Sequence, residues 1–180
     1  MNTFINKDKL FITEEVFKSM IPSSRNVTDT QTIYYSISLS QQNTIKEILG
    51  RDLYEDILDK YTQYIDSGVT MEEHYSFLMD NYLKPILAFA TYKRLISSLS
   101  FKLKEGGLRY TVNGNDELAQ YQDRNSIIGE ITNDINLFIA DMKYYISDNI
   151  QYFGLYNQGF NNINGNKSFN IGKIQNKRRF

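Results

Sequence analysis

The apolar residues of the chain recur mostly at intervals of three and four positions, a pattern that predicts helices. Thr13 can cap a short first helix that reaches about Met20, and Pro22 follows its end. A second helix is expected from near Asp29 to Gly50, because a glycine suits the left-handed position after a helix end. The predicted apolar face of this helix consists of Ile33, Ile37, Thr44 and Ile48.

A third helix should follow at once and end before Gly68, with Leu53, Ile57, Tyr61 and Ile65 on its apolar face. The residues from Thr70 to Glu73 fit a capping box, which places the start of a fourth helix there. Pro85 interrupts this helix. Proline lacks a backbone donor and clashes with the preceding turn, so a kink or break is expected near residues 81–84.

The segment from residue 101 to 112 has a different pattern, because two short alternating runs flank a pair of glycines. Such a pattern is typical of a β-hairpin. The candidate inter-subunit residues of this hairpin are Phe101, Leu103, Gly106, Gly107, Leu108, Arg109 and Tyr110.

The longest helix is expected from Asp116 to about Ile150. Its apolar stripe has alternating three- and four-residue spacings and consists of Ile128, Ile131, Ile135, Phe138, Met142 and Tyr145. The stripe indicates a bundle core, or a core partly shared with a neighbouring subunit, because Leu137, Ile139 and Ile146 widen it. The predicted fold class is therefore mainly α, a helical bundle with one protruding β-hairpin and an extended C-terminal tail.

By this pattern the chain divides into an N-terminal segment with a short helix (1–27), a helical body (28–150) and an extended tail (151–180). Residues 149–180 hold five bases and six aromatic residues but no acid. A segment this polar does not fold alone, yet it carries anchors that a solvating linker lacks. Docking onto a protein partner explains both features. The predicted docking residues are Tyr152, Phe153, Tyr156, Phe160, Phe169, Lys173, Lys177, Arg178 and Arg179.

Two alternatives for the tail stay open: a disordered end without a function, and a segment that stacks on nucleic-acid bases. The charge distribution favours a protein partner. Residues 1–148 hold 15 bases and 21 acids, a net charge of −6. A generic nucleic-acid-binding fold carries its basic patch on the fold itself. An acidic body with a basic tail suits copies that assemble with one another.

The residues offer little for catalysis. The chain has no cysteine and no phosphate-binding glycine motif, and His74 is its only histidine, which we expect at the surface. The acids Asp52, Glu55, Asp56 and Asp59 describe a solvated helix face better than a metal site. No apolar run approaches the length of a membrane span. We therefore predict a non-enzyme without a metal, a cofactor or a membrane partner.

Three segments resemble the head–tail connector (adaptor) proteins of tailed phages, in particular the ring proteins of crAss-like and related Bacteroidetes phages. They are LGRDLY (49–54), YLKPILAF (82–89) and GGLR (106–109), the last preceding a long terminal helix. The resemblance covers about residues 29–150 and implies a structural virion protein without enzymatic residues.

The resemblance also implies a homo-oligomeric ring of about a dozen copies at the head–tail junction, assembled in the host cytoplasm. The ring would attach to the portal protein, contact the next tail or ring protein, and let DNA pass through its lumen without specific binding. A different class of function remains open from the residues alone: a small nucleic-acid-binding accessory protein that uses the basic aromatic tail. An interaction module of a bacterial host protein is a third possibility.

Overall fold

The computed structural model describes residues 6–26, 29–99, 101–104, 107–110 and 119–156. Its α-helices are α1 (Glu14–Met20), α2 (Thr30–Ser40), α3 (Lys46–Leu49), α4 (Arg51–Ser67), α5 (Glu73–Leu78), α6 (Lys84–Leu99) and α7 (Ala119–Asp148). Short 3-10 turns lie at Lys7–Lys9 and Pro22–Asn26. The π-helical turns Gln41–Ile45 and Met79–Leu83 join α2 to α3 and α5 to α6, so each pair forms one continuous helix.

Helix α6 lies at the centre of the bundle. It packs against both α2 and α7, and three consecutive residues of it, Ile86, Leu87 and Ala88, are fully buried. A helix whose successive residues are all buried has neighbours on every side. One hydrophobic core therefore surrounds α6, and it extends from Leu10 near the N-terminus to Tyr156.

The first π turn changes which residues of the second helix are buried. Before the turn, the predicted positions are buried. After it, the buried residues are Ile45 and Leu49 rather than the predicted Thr44 and Ile48, which are only half-buried. A π turn inserts one extra residue into the helix, so every later position advances by one.

Of the kink or break expected near residues 81–84, the break is wrong, because the helix continues through Pro85. The π turn precedes the proline, and the N–H of Lys84 donates to the carbonyl oxygen of Met79, five residues back. The wider turn accommodates the missing donor and the bulk of the ring without separating α5 from α6.

Two further local predictions need correction. Gly50 has the expected positive φ of 77°, but its ψ of 164° is extended rather than left-handed helical. The residues Thr70 to Glu73 do not form a capping box, because α5 begins at Glu73 itself and has no side-chain cap. Glu72, at the N-cap position, pairs with Nζ of Lys60 in α4 at 3.0 Å.

The predicted fold class is wrong in its β part. The part of the chain with described side chains is helical and contains no strand. The backbones of Phe101–Lys104 and Gly107–Tyr110 pair as four antiparallel positions, and the described residues contain no further strand beside them. An isolated two-stranded ladder of this length is marginal in water. The alternating pattern is too short to establish a protruding hairpin.

Helix α7 confirms the predicted core stripe in its main positions. Ile131, Ile135, Met142 and Ile146 are buried, and Phe138 is half-buried against the core. Leu137 lies on the other side of the helix and is 65% exposed.

A buried glutamine attaches the N-terminal segment to the bundle. The backbone N–H of Phe11 donates to Oε1 of Gln41 at 2.8 Å, and Nε2 of Gln41 donates to the carbonyl oxygen of Lys9 at 2.9 Å. Nε2 also lies 3.1 Å from the hydroxyl of Tyr54. The residues on either side of these bonds, Leu10 to Ile12, are thereby held in the core.

Replacing Gln41 with methionine keeps the side-chain length but removes both backbone hydrogen bonds. We expect Gln41→Met to lower the free energy of unfolding by about 2–4 kcal/mol, because buried backbone groups lose their partners. The matched control is Gln42→Met. Gln42 is exposed, and its side chain donates to the hydroxyl of Tyr54 but bonds neither Lys9 nor Phe11. Urea unfolding of both variants measures the difference, and equal stabilities would contradict this role of Gln41.

Candidate functional site

The chain turns back onto the bundle directly after α7. The N–H of Tyr152 donates to the carbonyl oxygen of Asn149 at 2.9 Å, and that of Tyr156 donates to Phe153 at 2.8 Å. The backbone N–H and the side-chain amide of Asn149 both donate to the carbonyl oxygen of Tyr145 at the helix end, at 3.1 and 2.9 Å. These successive turns bring the side chains of Phe153 and Tyr156 into the core.

Phe153 is fully buried among three rings. Its ring centroid lies 5.4 Å from Tyr75, 5.7 Å from His74 and 5.9 Å from Tyr145. The first two contacts are edge-to-face, an arrangement that aromatic quadrupoles favour. We refer to His74, Tyr75, Tyr145, Tyr152 and Phe153 as the C-terminal aromatic cluster.

His74 belongs to this cluster and is not the surface residue that we predicted. Its side chain is only 17% exposed, and its ring stacks on Tyr152 at a centroid distance of 4.2 Å. Nε2 lies 3.1 Å from a carboxylate oxygen of Glu72. No spacing rule connects residue 74 with residue 152, so sequence reasoning had no means of finding this contact.

Tyr75 connects the cluster to α4. Its hydroxyl donates to Oδ2 of Asp56 at 2.5 Å, and Nζ of Lys60 lies 4.7 Å from the ring centroid. Burial raises the pKa of Tyr75 far above the ordinary value, and the hydrogen bond to Asp56 raises it further. Asp56, which the sequence placed on a solvated face, is half-buried for this reason. The phenol therefore stays protonated and holds two helices together.

The cluster is suited to packing. A shallow cleft of about 260 Å³ lies beside it, lined by Glu73, His74, Phe77, Tyr145, Asn149 and Tyr152.

Within the described residues, no group of three or more histidine, aspartate or glutamate side chains is placed to hold a metal ion. Across the same part of the chain, no helix is both long and apolar enough to cross a membrane.

The residues predicted to dock on a partner separate into two groups. Phe153 and Tyr156 are buried in this chain's own core, and Tyr152 is half-exposed on His74, so these three side chains fasten the segment to the body. The remaining tail residues lie outside the described residues, and their docking role stays a prediction: Phe160, Phe169, Lys173, Lys177, Arg178 and Arg179. The side chains of residues 101–110 also lie outside the description.

A second surface lies on α7, on the side turned away from the core. This outer face of α7 consists of Ile127, Glu130, Asp134, Leu137, Asp141 and Tyr144, all of them exposed. Leu137 is 65% and Tyr144 67% exposed. Two large apolar side chains two helical turns apart, with the carboxylate of Asp141 between them, are a candidate surface for contact with another protein.

The aromatic cluster generates a test of stability. We expect Phe153→Ala to lower the free energy of unfolding by about 3–5 kcal/mol, because it leaves a cavity among three rings. Leu155→Ala is the matched control two residues along, since Leu155 is half-exposed. Its effect should stay within about 0.5 kcal/mol. Urea unfolding that showed a small effect for both variants would contradict the burial of this segment.

The buried phenols generate a test of pH dependence. Burial raises the pKa of Tyr54, Tyr61, Tyr75, Tyr145 and Tyr156 in the fold. In the unfolded chain these groups lose their protons near about pH 10. Above that pH the folded state binds more protons, so the free energy of unfolding should fall as pH rises, and it should not respond to these groups below it.

Tyr75→Phe removes one of these groups, so the fall in stability above about pH 10 should be less steep than in the wild type. Tyr35→Phe is the control, because Tyr35 is 55% exposed. Urea unfolding at a series of pH values from neutral to alkaline measures both slopes. If the Tyr75→Phe slope stayed parallel to that of the wild type, Tyr75 would not be a linked group.

Comparison with known proteins adds one relationship. Neither the curated proteins nor the solved structures contain a match to this chain. A family model, described as a family of unknown function (DUF6712), matches residues 45–166. This range begins in the first π turn and includes α3 to α7 and the returning segment with Phe153. Because the match covers more than half of the sequence, the chain belongs to the DUF6712 family.

Proposed function

We propose that the protein is a structural virion protein, a subunit of a head–tail connector ring that attaches to a portal protein and continues the DNA channel into the tail. The observation that carries this proposal is the outer face of α7. It presents Leu137 and Tyr144 to solvent on a rigid helix whose opposite side forms the core. Exposed apolar groups with a polar surround are typical of surfaces that another subunit covers.

The fastened C-terminus also supports this role. The aromatic cluster holds residues 152–156 on α5 and α7, so this segment shares one hydrophobic core with the described helices. A ring subunit benefits from such rigidity, because a rigid surface loses little conformational entropy when it is covered.

The charge of the body fits a channel for DNA. Residues 1–148 carry a net charge of −6. Negative charge that faces a lumen repels phosphates and lets DNA slide past instead of binding. The bases of residues 157–180 would then contact protein at the portal or on a neighbouring subunit.

The proposal predicts self-assembly through the outer face of α7. We expect the purified wild-type chain to form closed rings, and Leu137→Glu combined with Tyr144→Glu to reduce them to monomers, because two charges would have to be buried. Ile65→Glu is the matched control: Ile65 is a half-exposed residue of α4. Native mass spectrometry and negative-stain electron microscopy measure the assemblies, and circular dichroism checks the fold.

A wild-type chain that stays monomeric at every attainable concentration would contradict the proposal. Titration with single-stranded DNA at about 150 mM salt tests the alternative function, since phosphate-driven binding is weakened but still measurable at that ionic strength. Binding there by monomers, lost when residues 157–180 are removed, would replace the ring by a nucleic-acid-binding accessory protein.

A further inference from the structure

A cationic cleft lies between α2, α6 and α7. It has a volume of about 410 Å³, and its polar lining includes Ser40, Thr44, Lys93, Arg94, Thr132 and Asn136. No acidic side chain lines it within the described part of the chain. The volume falls in the range of ligand sites, and the two bases give it the opposite sign to the net charge of the body.

Arg94 is incompletely paired in this cleft. Its Nε atom is buried and has no hydrogen-bond partner among the described residues. Within the described residues, neither Lys93 nor Arg94 forms an ion pair with a carboxylate. A buried donor without a partner is uncommon in folded proteins. A carboxylate would satisfy it, since the guanidinium presents forked donors that match two carboxylate oxygens.

Carboxylates without partners lie on the far side of the same helix. Thr132 and Asn136 line the cleft, whereas Asp134 lies about 180° away around α7, at 3.6 residues per turn. Glu130 and Asp141 share that side, and all three acids are exposed. None of them forms an ion pair with another described residue. One subunit therefore carries two complementary surfaces that cannot reach each other.

We propose that the cleft of one copy receives Asp134 from the outer face of α7 of the next copy. This inference rests on the proposed ring and names the contact that would build it. The cleft and the outer face are different surfaces, so the contact is head-to-tail and passes from copy to copy until the rotation closes it. Leu137, one turn along from Asp134, is buried beside the charged contact and excludes water from it.

Charge reversal on each surface tests the pairing. We expect Arg94→Glu alone and Asp134→Arg alone to weaken self-association at least about tenfold, because each places like charges together. An equimolar mixture of the two variants should assemble like the wild type. In an alternating ring, every Glu at position 94 meets an Arg at position 134, and every remaining contact is native. Size-exclusion chromatography with light scattering measures this, and circular dichroism confirms folding.

The charge-matched controls are Arg51→Glu and Asp52→Arg, which reverse exposed residues of α4. Both should assemble like the wild type. If either reversal at position 94 or 134 also left assembly unchanged, or if the mixture failed to restore it, the pairing would be wrong while the ring proposal stood. If Arg94→Glu weakened assembly but Asp134→Arg did not, an anion other than Asp134, such as a phosphate, would occupy the cleft. A monomeric wild type would instead remove the ring itself.

Discussion

The complete burial of α6 is the constraint on which the rest of the fold depends. Ile86, Leu87 and Ala88 are adjacent in sequence and point in different directions, yet each is fully buried. One neighbouring helix covers only one side, so a chain of this size must bring several elements to the same helix. α2 and α7 supply two sides, and the shared core reaches as far as the segments around Phe11 and Phe153. The termini of the described chain are thus structural parts of the bundle.

This constraint also explains the two π turns. A straight helix keeps its apolar residues in one stripe only while the spacing in sequence matches 3.6 residues per turn. In the second helix, Ile45 and Leu49 stand one position later in sequence than the helical period from Ile33 and Ile37 requires. The extra residue of the π turn brings them back onto the buried side. The turn at Met79–Leu83 has a different role, since it allows the helix to continue through Pro85.

Sequence periodicity predicted the helices and most of the core because both depend on neighbours within two turns. The cap at Thr13 follows the prediction, with Oγ1 accepting from the N–H of Val16. The stripe of α7 follows it as well.

A regular helical period does not include an inserted residue. It therefore predicts Thr44 in the core, where the structure has Ile45. The contact of His74 with Tyr152 joins residues far apart in sequence, and it depends on how the chain turns after α7. The hairpin prediction failed for a related reason: four alternating residues do not say whether a third strand or an apolar face supports them.

The site is governed by where the chain places opposite charges relative to one rigid helix. Exposed acids and apolar residues occupy one side of α7, and a cleft with two unmatched bases opens on the other side. Because the helix itself separates the two sets, neither folding nor side-chain rotation can join them within one molecule. Only contact between molecules could bring the two sets together, and two different surfaces on one rigid body define a rotation that repeats. The aromatic cluster adds to this geometry by fixing Tyr156 on the body. Residues 157–180 therefore start from a defined point on every copy, which raises their effective concentration at any surface within reach of that point.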